Sequence, residues 1–457
     1  MPPKNNTRLL IFFTTIFMIL YFINQRLEFS FENQNDDEIN LKLKSQVELQ
    51  KIHIALVGCQ GSKKDSVGEI INLIKSAVLF TSKAIHFTIF TDQVEDFQQR
   101  FKESFPADLL QNPVHSNLDQ NNKENHTLHV QKINYQNFLN KQELDEFKNW
   151  WAPCASYRLF LPEIFQNFSH DGDFAISNYY HQFKLDQKVI YLDSDTLFLS
   201  DPFLLWVNFN FFNEKQVGAL APRIGRHFRV PAGNENYILY KQQEQDLENN
   251  RSTATTTEIN ELAHQDPYQT QVNSGVFLMD LQKMRQNIFN SFNSQSSYSW
   301  NKDLFFNIYN RFNSNMHGDQ DLINIIFHFN PNLIYFISCK FNYHHKFCFS
   351  APGIDPARNC DAAEAQGAFI VHGSAKCFQN NYAPAFRAVN QGFRDLGLVR
   401  EVEEGGNVAE KNSLTNIRSL RQRVKSNIKH NLEKDEIDKH PHCGGRIHVF
   451  TGNFHNL

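Results

Sequence analysis

Two aspartates follow a hydrophobic segment near the middle of the chain. Residues 188–192, KVIYL, predict a buried strand, and Asp193 and Asp195 stand directly after it. Alternate side chains of an extended backbone point the same way, so we expect both carboxylates to face one point. Two carboxylates so placed repel each other unless a cation lies between them, which favours a divalent metal ion. Aspartate is also typical of solvated turns, and the short pattern alone does not separate these two interpretations.

A strand, a helix and a second strand near residue 50 predict the scaffold that positions this pair. Residues 51–58, KIHIALVG, and 84–92, AIHFTIFTD, are strand-like, and residues 66–82 between them carry apolar positions at helical spacing. This order is a βαβ unit, which implies a parallel sheet. Ligands of such sheets bind at the carboxyl ends of the strands. Gly58 and Asp92 stand at strand ends, as the aspartate pair does.

Four further segments place polar side chains at the boundaries of predicted elements. They are residues 150–165, a helix start with Arg158; residues 271–281, a turn with Asn273 and Ser274 that enters a buried strand; residues 317–329, a helix that begins at Asp319 and Gln320; and residues 369–378, a strand that ends at His372 and Gly373. Each has an ordinary explanation: in the same order, these are a surface ion pair, a turn, a helix cap and a structural histidine. None of these segments identifies a site alone.

The composition is that of a globular protein and gives no support for nucleic-acid binding. Of the 457 residues, 41% are hydrophobic and 21% are charged, and the net charge is −4. The length suits one large catalytic domain, which the simplest interpretation places at residues 51–400. Residues 232–270 are rich in Gln, Asn and Thr and predict a surface insertion. The charged residues 401–457 predict a C-terminal extension, with either a peripheral helix or a tail.

The N-terminus predicts a membrane anchor. Residues 9–23, LLIFFTTIFMILYFI, carry no charge, basic residues precede them and acidic residues follow. This bias favours a cytosolic tail at residues 1–8, a signal-anchor helix at residues 9–25 and a stem at residues 26–50. The chain is then a single-pass type II membrane protein with a lumenal catalytic domain. A cleaved signal peptide is the alternative, although no small-x-small cleavage site follows the apolar segment.

The seven cysteines fit an oxidising lumen, in which pairs of thiols form disulfides. Cys339, Cys348 and Cys360 are close in sequence and predict a locally stapled region. A zinc cluster is disfavoured because no C-x-x-C pair is present. The odd count leaves at least one thiol free or paired with another chain.

Four motifs, taken in their order along the chain, resemble those of a known enzyme family. YLDSDTLFL, NSGVFLMDL, GDQDLINIIF and IVHG are similar to motifs of the glycogenin-like retaining glycosyltransferases of family eight. PCASYRLFLP and CKFNYHHKFC are similar to segments of the glucoside xylosyltransferases. Those are type II proteins of the endoplasmic reticulum or Golgi that transfer xylose from UDP-xylose to O-linked glucose of EGF-like repeats. The resemblance implies a GT-A fold, an α/β domain with a Rossmann-like mixed sheet and a D-x-D motif.

The resemblance also implies roles for particular residues. The implied ligands of a divalent metal ion, Mn²⁺ rather than Mg²⁺, are Asp193, Asp195 and His372. The implied contacts of a UDP-sugar donor are Gly58, Cys59, Asp92, Arg158, Asn273, Gly373 and Lys376. Asp319 and Gln320 match the pair that faces the donor sugar and its anomeric carbon. Cys377 has no expected counterpart in the family, which makes it the candidate for a free thiol.

The family's reaction keeps the anomeric configuration, and two routes can do so. One is a double displacement through a protein nucleophile, and the other is front-face attack by an acceptor hydroxyl that the leaving phosphate deprotonates. Gln320 is a poor nucleophile because an amide oxygen is weakly basic, which favours the front-face route. Two alternatives to a xylosyltransferase stay open: the same fold using UDP-glucose or UDP-galactose on another glycan, and an inactive lumenal sugar-binding protein.

Overall fold

The computed structural model describes residues 51–60, 65–105, 110–111, 126–148, 153–168, 180, 185, 187–227, 270–290, 297–312, 316, 318–348, 360–398, 417–434, 437 and 446–455. The predicted cytosolic tail, signal anchor and stem lie outside these ranges, as does nearly all of the predicted insertion. Within the ranges, none of the helices has the length and hydrophobicity of a membrane span.

Strands and helices are interspersed along the described chain. The strands are β1 (Ile52–Gly58), β2 (Ile85–Thr91), β3 (Leu110–Gln111), β4 (His126–Lys132), β5 (Lys188–Asp193), β6 (Thr196–Phe198), β7 (Gly218–His227), β8 (Thr270–Asp280), β9 (Ile288–Asn290), β10 (Ser297–Ser299), β11 (Ile334–Phe336), β12 (Tyr343–His344) and β13 (Ile370–His372). The helices are α1 (Ser66–Phe80), α2 (Val94–Ser104), α3 (Lys141–Lys148), α4 (Pro153–Ser156), α5 (Leu161–Phe168), α6 (Phe203–Trp206), α7 (Leu281–Gln286), α8 (Lys302–Phe312), α9 (Asp319–Phe329), α10 (Asp361–Gln366), α11 (Pro384–Arg394), α12 (Ile417–Lys434) and α13 (Ile447–Thr451).

A mixed eight-stranded sheet has the strand order β11-β7-β8-β5-β1-β2-β4-β3. β1 is parallel to both β2 and β5, and β4 is parallel to β2 and β3. β8 is antiparallel to β5 and β7, and β7 is parallel to β11. The predicted βαβ unit is therefore confirmed, because α1 connects two parallel neighbours. The predicted α/β class with a mixed sheet is confirmed as well.

The register of the parallel strands brings the predicted strand ends to one edge. Gly58 lies opposite Thr91, and Asp193 lies opposite Val57. Parallel strands end at the same edge of a sheet, which is where ligands of such sheets bind. β5 therefore delivers its terminal aspartate beside the ends of β1 and β2.

A second sheet, with the order β12-β13-β6, carries a distant strand to the same edge. In it, His372 pairs with Thr196 on one side and with His344 on the other. Thr196 follows Asp195 directly in the chain. The pairing of β13 with β6 therefore places His372 beside the aspartates, although the sequence separates them widely.

Hydrophobic clusters cover both faces of the main sheet. Ile54 and Leu56 of β1 belong to one cluster, together with residues of α1. Ala55 and Val57 belong to the other, together with residues of α9. A strand whose alternate side chains enter two different cores is buried on both faces, as its nearly continuous hydrophobic sequence requires.

Helix α12, within the predicted C-terminal extension, packs into the first of these clusters. Val424, Ile428 and Leu432 are fully buried there. They recur every fourth residue and so form one apolar stripe on the helix. The guanidinium of Arg421 donates to backbone carbonyls at the C-terminal end of α1, including that of Thr81 at 3.3 Å. These bonds satisfy carbonyls that a helix end leaves unpaired.

The cysteines form the disulfides that an oxidising compartment permits. Cys59 is bonded to Cys154, and Cys339 to Cys360, which confirms a stapled region around residue 340. Cys348 is disulfide-bonded too. Within the described part of the chain, Cys377 is the free cysteine, as predicted.

Candidate active site

Three metal-ligating side chains meet at the carboxyl edge of the main sheet. Asp193, Asp195 and His372 each offer a ligand atom, and these atoms lie within 4.8 Å of one another. Nε2 of His372 is 3.7 Å from Oδ2 of Asp193 and 3.4 Å from Oδ1 of Asp195. Asp195 and His372 are buried, whereas Asp193 is half-buried. Two carboxylates and one imidazole suit a divalent transition metal, so the donor set fits the ion that the motifs imply.

The imidazole of His372 is confined on two sides. Its Nδ1 lies 2.9 Å from Oδ1 of Asn342. Its ring lies so close to Gly275 that a methyl group on that glycine would come within 2.2 Å of the ring carbon Cε1. With Nδ1 engaged by the amide, Nε2 is the nitrogen that faces the two carboxylates.

Arg158 is buried and bridges the metal-binding cluster to the start of α9. Its Nη1 donates to Oδ1 of Asp193 at 3.0 Å and to the carbonyl of Ser274 at 2.7 Å. Its Nε donates to Oδ2 of Asp319. Burial alone would lower the pKa of Arg158, but the two carboxylates raise it above its ordinary value. The guanidinium therefore stays charged, and its predicted contact with a nucleotide stays a prediction.

Tyr191 also contacts the cluster, and the motif analysis did not identify it. Its hydroxyl donates to Oδ1 of Asp193 at 2.8 Å, and its ring lies 4.7 Å below the guanidinium of Arg158. Burial raises the pKa of Tyr191 well above its ordinary value. The phenol therefore stays protonated and donates this hydrogen bond to Asp193. The period-two alternation of β5 was the available signal, because Tyr191 and Asp193 share one face of the strand.

Asp319 and Gln320 lie in the first turn of α9, as predicted. Gly318 precedes them with a φ of 101°, a conformation that glycine adopts without strain. Asp319 is buried, and burial raises the pKa of its carboxyl, while Arg158 opposes that rise. Gln320 is half-buried, and its carbonyl accepts a 2.8 Å hydrogen bond from the buried amide of Asn324.

Gly58, Cys59 and Asp92 form a second group at the same edge. The backbone amide of Gln60 donates to Oδ1 of Asp92 at 2.9 Å, which joins the ends of β1 and β2. Cys59 forms its disulfide with Cys154, which lies in α4, directly before the segment that carries the buried arginine. The predicted nucleotide contacts are thus neighbours in space, beside the metal-binding cluster.

The segment after β13 has an unusual backbone. The amide of Gly373 donates to the carbonyl of Asp195 at 2.7 Å. Ala375 and Lys376 then have φ values of 60° and 62°, a region that costs side-chain-bearing residues free energy and is often found at functional sites. The side chain of Lys376 is exposed, whereas Cys377 is buried. Burial, and then the charge of Asp195, raise the pKa of the Cys377 thiol to about 12, so this cysteine is unreactive at neutral pH.

Asn273 and Ser274 lie within strand β8, so the prediction of a turn at these residues was wrong. The strand is bulged where it pairs with β7, and a bulge uses the same polar and glycine residues as a turn. Oδ1 of Asn273 accepts hydrogen bonds from the amide of Gly275 at 2.9 Å and from Nδ2 of Asn342 at 3.0 Å. Both hydrogen bonds join Asn273 to other residues of the protein, and its predicted contact with the donor stays a prediction.

Glu69 on α1 connects the two segments that carry the metal-ligating residues. One carboxylate oxygen accepts a 3.1 Å hydrogen bond from the hydroxyl of Ser194, which stands between the two aspartates. The other oxygen accepts from the amide of Gln379, in the segment that follows β13. The glutamate is 6% exposed and sits on a helix face that sequence periodicity assigns to packing, so no motif pointed to it.

Comparisons with solved structures give low similarity. Mouse xyloside xylosyltransferase 1 is 12% identical over 71% of this chain and 98% of that chain, with a TM-score of 0.41. A galactosyltransferase, LgtC, in complex with donor and acceptor sugar analogues is 15% identical over 77% of this chain and 98% of that chain, with a TM-score of 0.42.

Comparisons of sequence are more specific. Residues 174–370 match the family model described as Glycosyl transferase family 8, a range that includes the D-x-D pair and the start of α9. Glucoside xylosyltransferase 1 of Danio rerio is 28% identical over 408 residues, which are 88% of this chain and 76% of that protein. Glucoside xylosyltransferase 1 of Rattus norvegicus is 27% identical over 76% of this chain, which spans 64% of that protein. Glucoside xylosyltransferase 2 of Xenopus laevis is 28% identical over 75% of this chain, which spans 65% of that protein. The chain therefore carries a glycosyl transferase family 8 domain, as its motifs indicate, and is a glycosyltransferase related to the glucoside xylosyltransferases.

Proposed function

We propose that this glycosyltransferase moves a sugar from a UDP-sugar to a glycoside acceptor, with a divalent metal ion and with retention of the anomeric configuration. The observation that carries the proposal is the meeting of Asp193, Asp195 and His372 within 4.8 Å at the carboxyl edge of the sheet. The family 8 match supports the reaction class. The names of the relatives, glucoside xylosyltransferases, support xylose as the transferred sugar and a glucoside as the acceptor. The resemblance of the motifs supports UDP-xylose as the donor and O-linked glucose of EGF-like repeats, or a related glucoside, as the acceptor.

Asp193, Asp195 and His372 would hold the metal ion, for which we propose Mn²⁺. Bound there, the ion would neutralise the diphosphate and stabilise the departing UDP. The two carboxylate oxygens of Asp193 have different contacts. Oδ1 accepts from Arg158 and Tyr191, while Oδ2 faces His372. The carboxylate is thus oriented without losing the oxygen that faces the cluster.

The remaining groups at this edge would bind the donor. Gly58, Cys59 and Asp92 would lie along the uridine. Gly373, Asn273 and the exposed ammonium of Lys376 would lie near the diphosphate, with Arg158 as a buried positive charge behind it. Their placement around one edge of the sheet supports these roles.

We assign Asp319 and Gln320 to the donor sugar. A carboxylate held by a buried guanidinium is a weak nucleophile, because its negative charge is already engaged. An amide oxygen is weakly basic, so Gln320 does not suit a double displacement either. Front-face attack by the acceptor hydroxyl therefore fits both residues better, with Asp319 and Gln320 positioning the sugar and stabilising its developing positive charge.

We place the chain in the membrane of the endoplasmic reticulum or Golgi, as a type II protein with a lumenal catalytic domain. The uncharged residues 9–23 and the flanking charges support an anchor. The disulfides Cys59–Cys154 and Cys339–Cys360 support an oxidising compartment.

The test is a donor and acceptor panel with the purified full-length chain and Mn²⁺. UDP-xylose, UDP-glucose and UDP-galactose are each offered with a β-glucoside and with an O-glucosylated EGF repeat. Transfer from UDP-xylose alone is expected, and Asp195→Asn is expected to abolish it. Asp201→Asn is the matched control, because Asp201 is not part of the metal-binding cluster. Its Oδ1 accepts a 2.8 Å hydrogen bond from the backbone amide of Phe203, and the side-chain oxygen of asparagine can accept the same bond.

Each other outcome overturns a defined part of the proposal. Transfer only from a hexose donor would reject xylose and keep the reaction class. Activity in Asp195→Asn equal to that of Asp201→Asn would reject the metal-binding cluster. If none of the three donors is bound and turned over, the proposal of an enzyme is rejected and an inactive sugar-binding protein is favoured.

A further inference from the structure

Asn342 joins His372 to strand β8 through its side-chain amide. It lies at the end of a short helical segment, Cys339–Asn342, and its side chain is buried, with the whole residue 1% exposed. Nδ2 of Asn342 is 3.0 Å from Oδ1 and 3.2 Å from the backbone carbonyl of Asn273. Oδ1 of Asn342 is 2.9 Å from Nδ1 of His372. The amide is therefore bonded at both of its ends.

The chemistry of the partners fixes the direction of every bond in this chain. A backbone amide only donates, so the 2.9 Å bond from Gly275 identifies the atom it meets as Oδ1 of Asn273. Both groups that face Nδ2 of Asn342 are then oxygens, so this end of the amide must donate. Its other end is the oxygen, which accepts from His372.

The direction of these bonds decides which nitrogen of His372 is free. Because Nδ1 meets an acceptor, Nδ1 carries the hydrogen in the neutral imidazole. The lone pair is then on Nε2, the nitrogen that lies 3.4 Å from Oδ1 of Asp195. A metal ligand needs that lone pair, and histidine ligands are commonly held by a hydrogen bond on their other nitrogen.

We propose that Asn342 is a positioning residue that fixes the tautomer and the ring orientation of His372, so that Nε2 is offered to a divalent metal ion. The inference rests on the proposed function, because it needs the metal-binding cluster. Gly275 supports it, since a Cβ at that position would come within 2.2 Å of Cε1 of the imidazole and would displace the ring. Loss of such a supporting partner typically weakens metal affinity by about 10- to 100-fold.

The experiment measures the affinity of the full-length chain for Mn²⁺ alone, from the electron paramagnetic resonance signal of the free ion. Asn342→Leu removes all three side-chain hydrogen bonds at similar volume, and we expect its dissociation constant for Mn²⁺ to rise by about 10- to 100-fold.

Asn330→Leu is the matched control for the loss of a buried amide. Asn330 is 5% exposed, makes three hydrogen bonds and lies directly after the far end of α9 from Asp319. It is expected to lower the thermal unfolding midpoint without changing Mn²⁺ affinity. The inference is overturned if Asn342→Leu binds Mn²⁺ like the wild type, or if Asn330→Leu loses the same affinity.

The wild type and Asp195→Asn separate this inference from the proposed function. If the wild type binds no Mn²⁺, or if Asp195→Asn binds it equally well, the metal-binding cluster itself is wrong. If both behave as expected and Asn342→Leu is unaffected, only the role of Asn342 is wrong.

Discussion

The charges at the candidate site are arranged atom by atom. Arg158 and Asp319 are almost fully buried, with side chains 4% and 5% exposed, while Asp193 is 24% exposed. One guanidinium therefore offsets two carboxylates in a region of low dielectric, where an unpaired charge is costly. Tyr191 adds a hydrogen bond to the same oxygen of Asp193 that the guanidinium meets. Both contacts are to Oδ1, so Oδ2 of Asp193 remains directed toward His372.

We expect Arg158→Met to destabilise the protein by about 3–5 kcal/mol at neutral pH, because it leaves two carboxylates without their buried cation. The sign of the pH dependence follows from Asp319. Burial raises the pKa of the Asp319 carboxyl, and the guanidinium of Arg158 opposes that rise. Removal of the guanidinium therefore raises the pKa of Asp319 further. A carboxyl whose pKa is raised by folding loses stability as pH increases through that pKa. The deficit of the variant in urea unfolding should therefore be larger at pH 8 than at pH 5.

Arg100→Met is the matched control for this prediction. Arg100 pairs with Asp65 at 2.7 Å, but the two side chains are 34% and 59% exposed, so solvent screens the pair. We expect a cost below about 1 kcal/mol. An equal cost for both variants, or a deficit of Arg158→Met that grows toward acid, would contradict the account of the buried arginine.

At the scale of elements, the site depends on pieces that pack from far along the chain. β13 reaches the aspartates by pairing with β6, and α1 holds both segments through Glu69. α1 is in turn covered by α12, whose Arg421 bonds to its last carbonyls. Gly392 of α11 allows a close approach of α12, because a Cβ there would lie 2.5 Å from Ile428. Helix α12 therefore supports α1, the helix whose Glu69 contacts both segments of the site.

We expect Ile428→Ala to destabilise the protein by about 2–5 kcal/mol, because it removes a fully buried side chain from a packed helix interface. Urea unfolding of wild type and variant measures the difference. Lys429→Ala is the control on the next residue, since its side chain is 70% exposed and its ion pair with Glu433 is weak. If Ile428→Ala costs no more than Lys429→Ala, α12 does not belong to the core.

Over the whole molecule, the sequence predicts what depends on local periodicity and short motifs. The strands that end at Gly58 and Asp193 and the helix that begins at Asp319 follow from apolar spacing and boundary residues. The resemblance to a family added His372, since no local pattern shows that β13 pairs with β6. The packing of α12 was left open, although its every-fourth-residue stripe was a readable signal.

The remaining residues escape prediction for physical reasons. Asn342 and Glu69 act through side-chain hydrogen bonds to residues that are distant in the chain, and only the folded arrangement determines such pairs. Asn273 was assigned to a turn because a bulged strand and a turn favour the same residue types. Helix and strand periodicity says which residues are buried, but it does not say which buried polar atoms meet.

The main sheet carries buried histidines that predict loss of stability in acid. His53 and His86 lie opposite each other on β1 and β2, fully buried, and bond to neutral partners such as Thr88 and Thr127. Burial lowers the pKa of His53 to about 3 and that of His86 well below its ordinary value. In the unfolded chain, His53 and His86 take up protons as the pH falls through about 6.5, whereas in the folded chain they stay neutral at that pH.

We therefore expect the free energy of unfolding to fall as pH decreases below about 6.5, by roughly 1.4 kcal/mol per pH unit for each such histidine, until its own low pKa is reached. Urea unfolding between pH 7 and pH 5 measures this slope. His53→Gln should flatten it by about one histidine's share, because glutamine does not titrate, whereas His430→Gln, at an exposed position, should leave it unchanged. Equal slopes in the wild type and His53→Gln would show that His53 is charged in the fold, and acid sensitivity would then have to come from other groups.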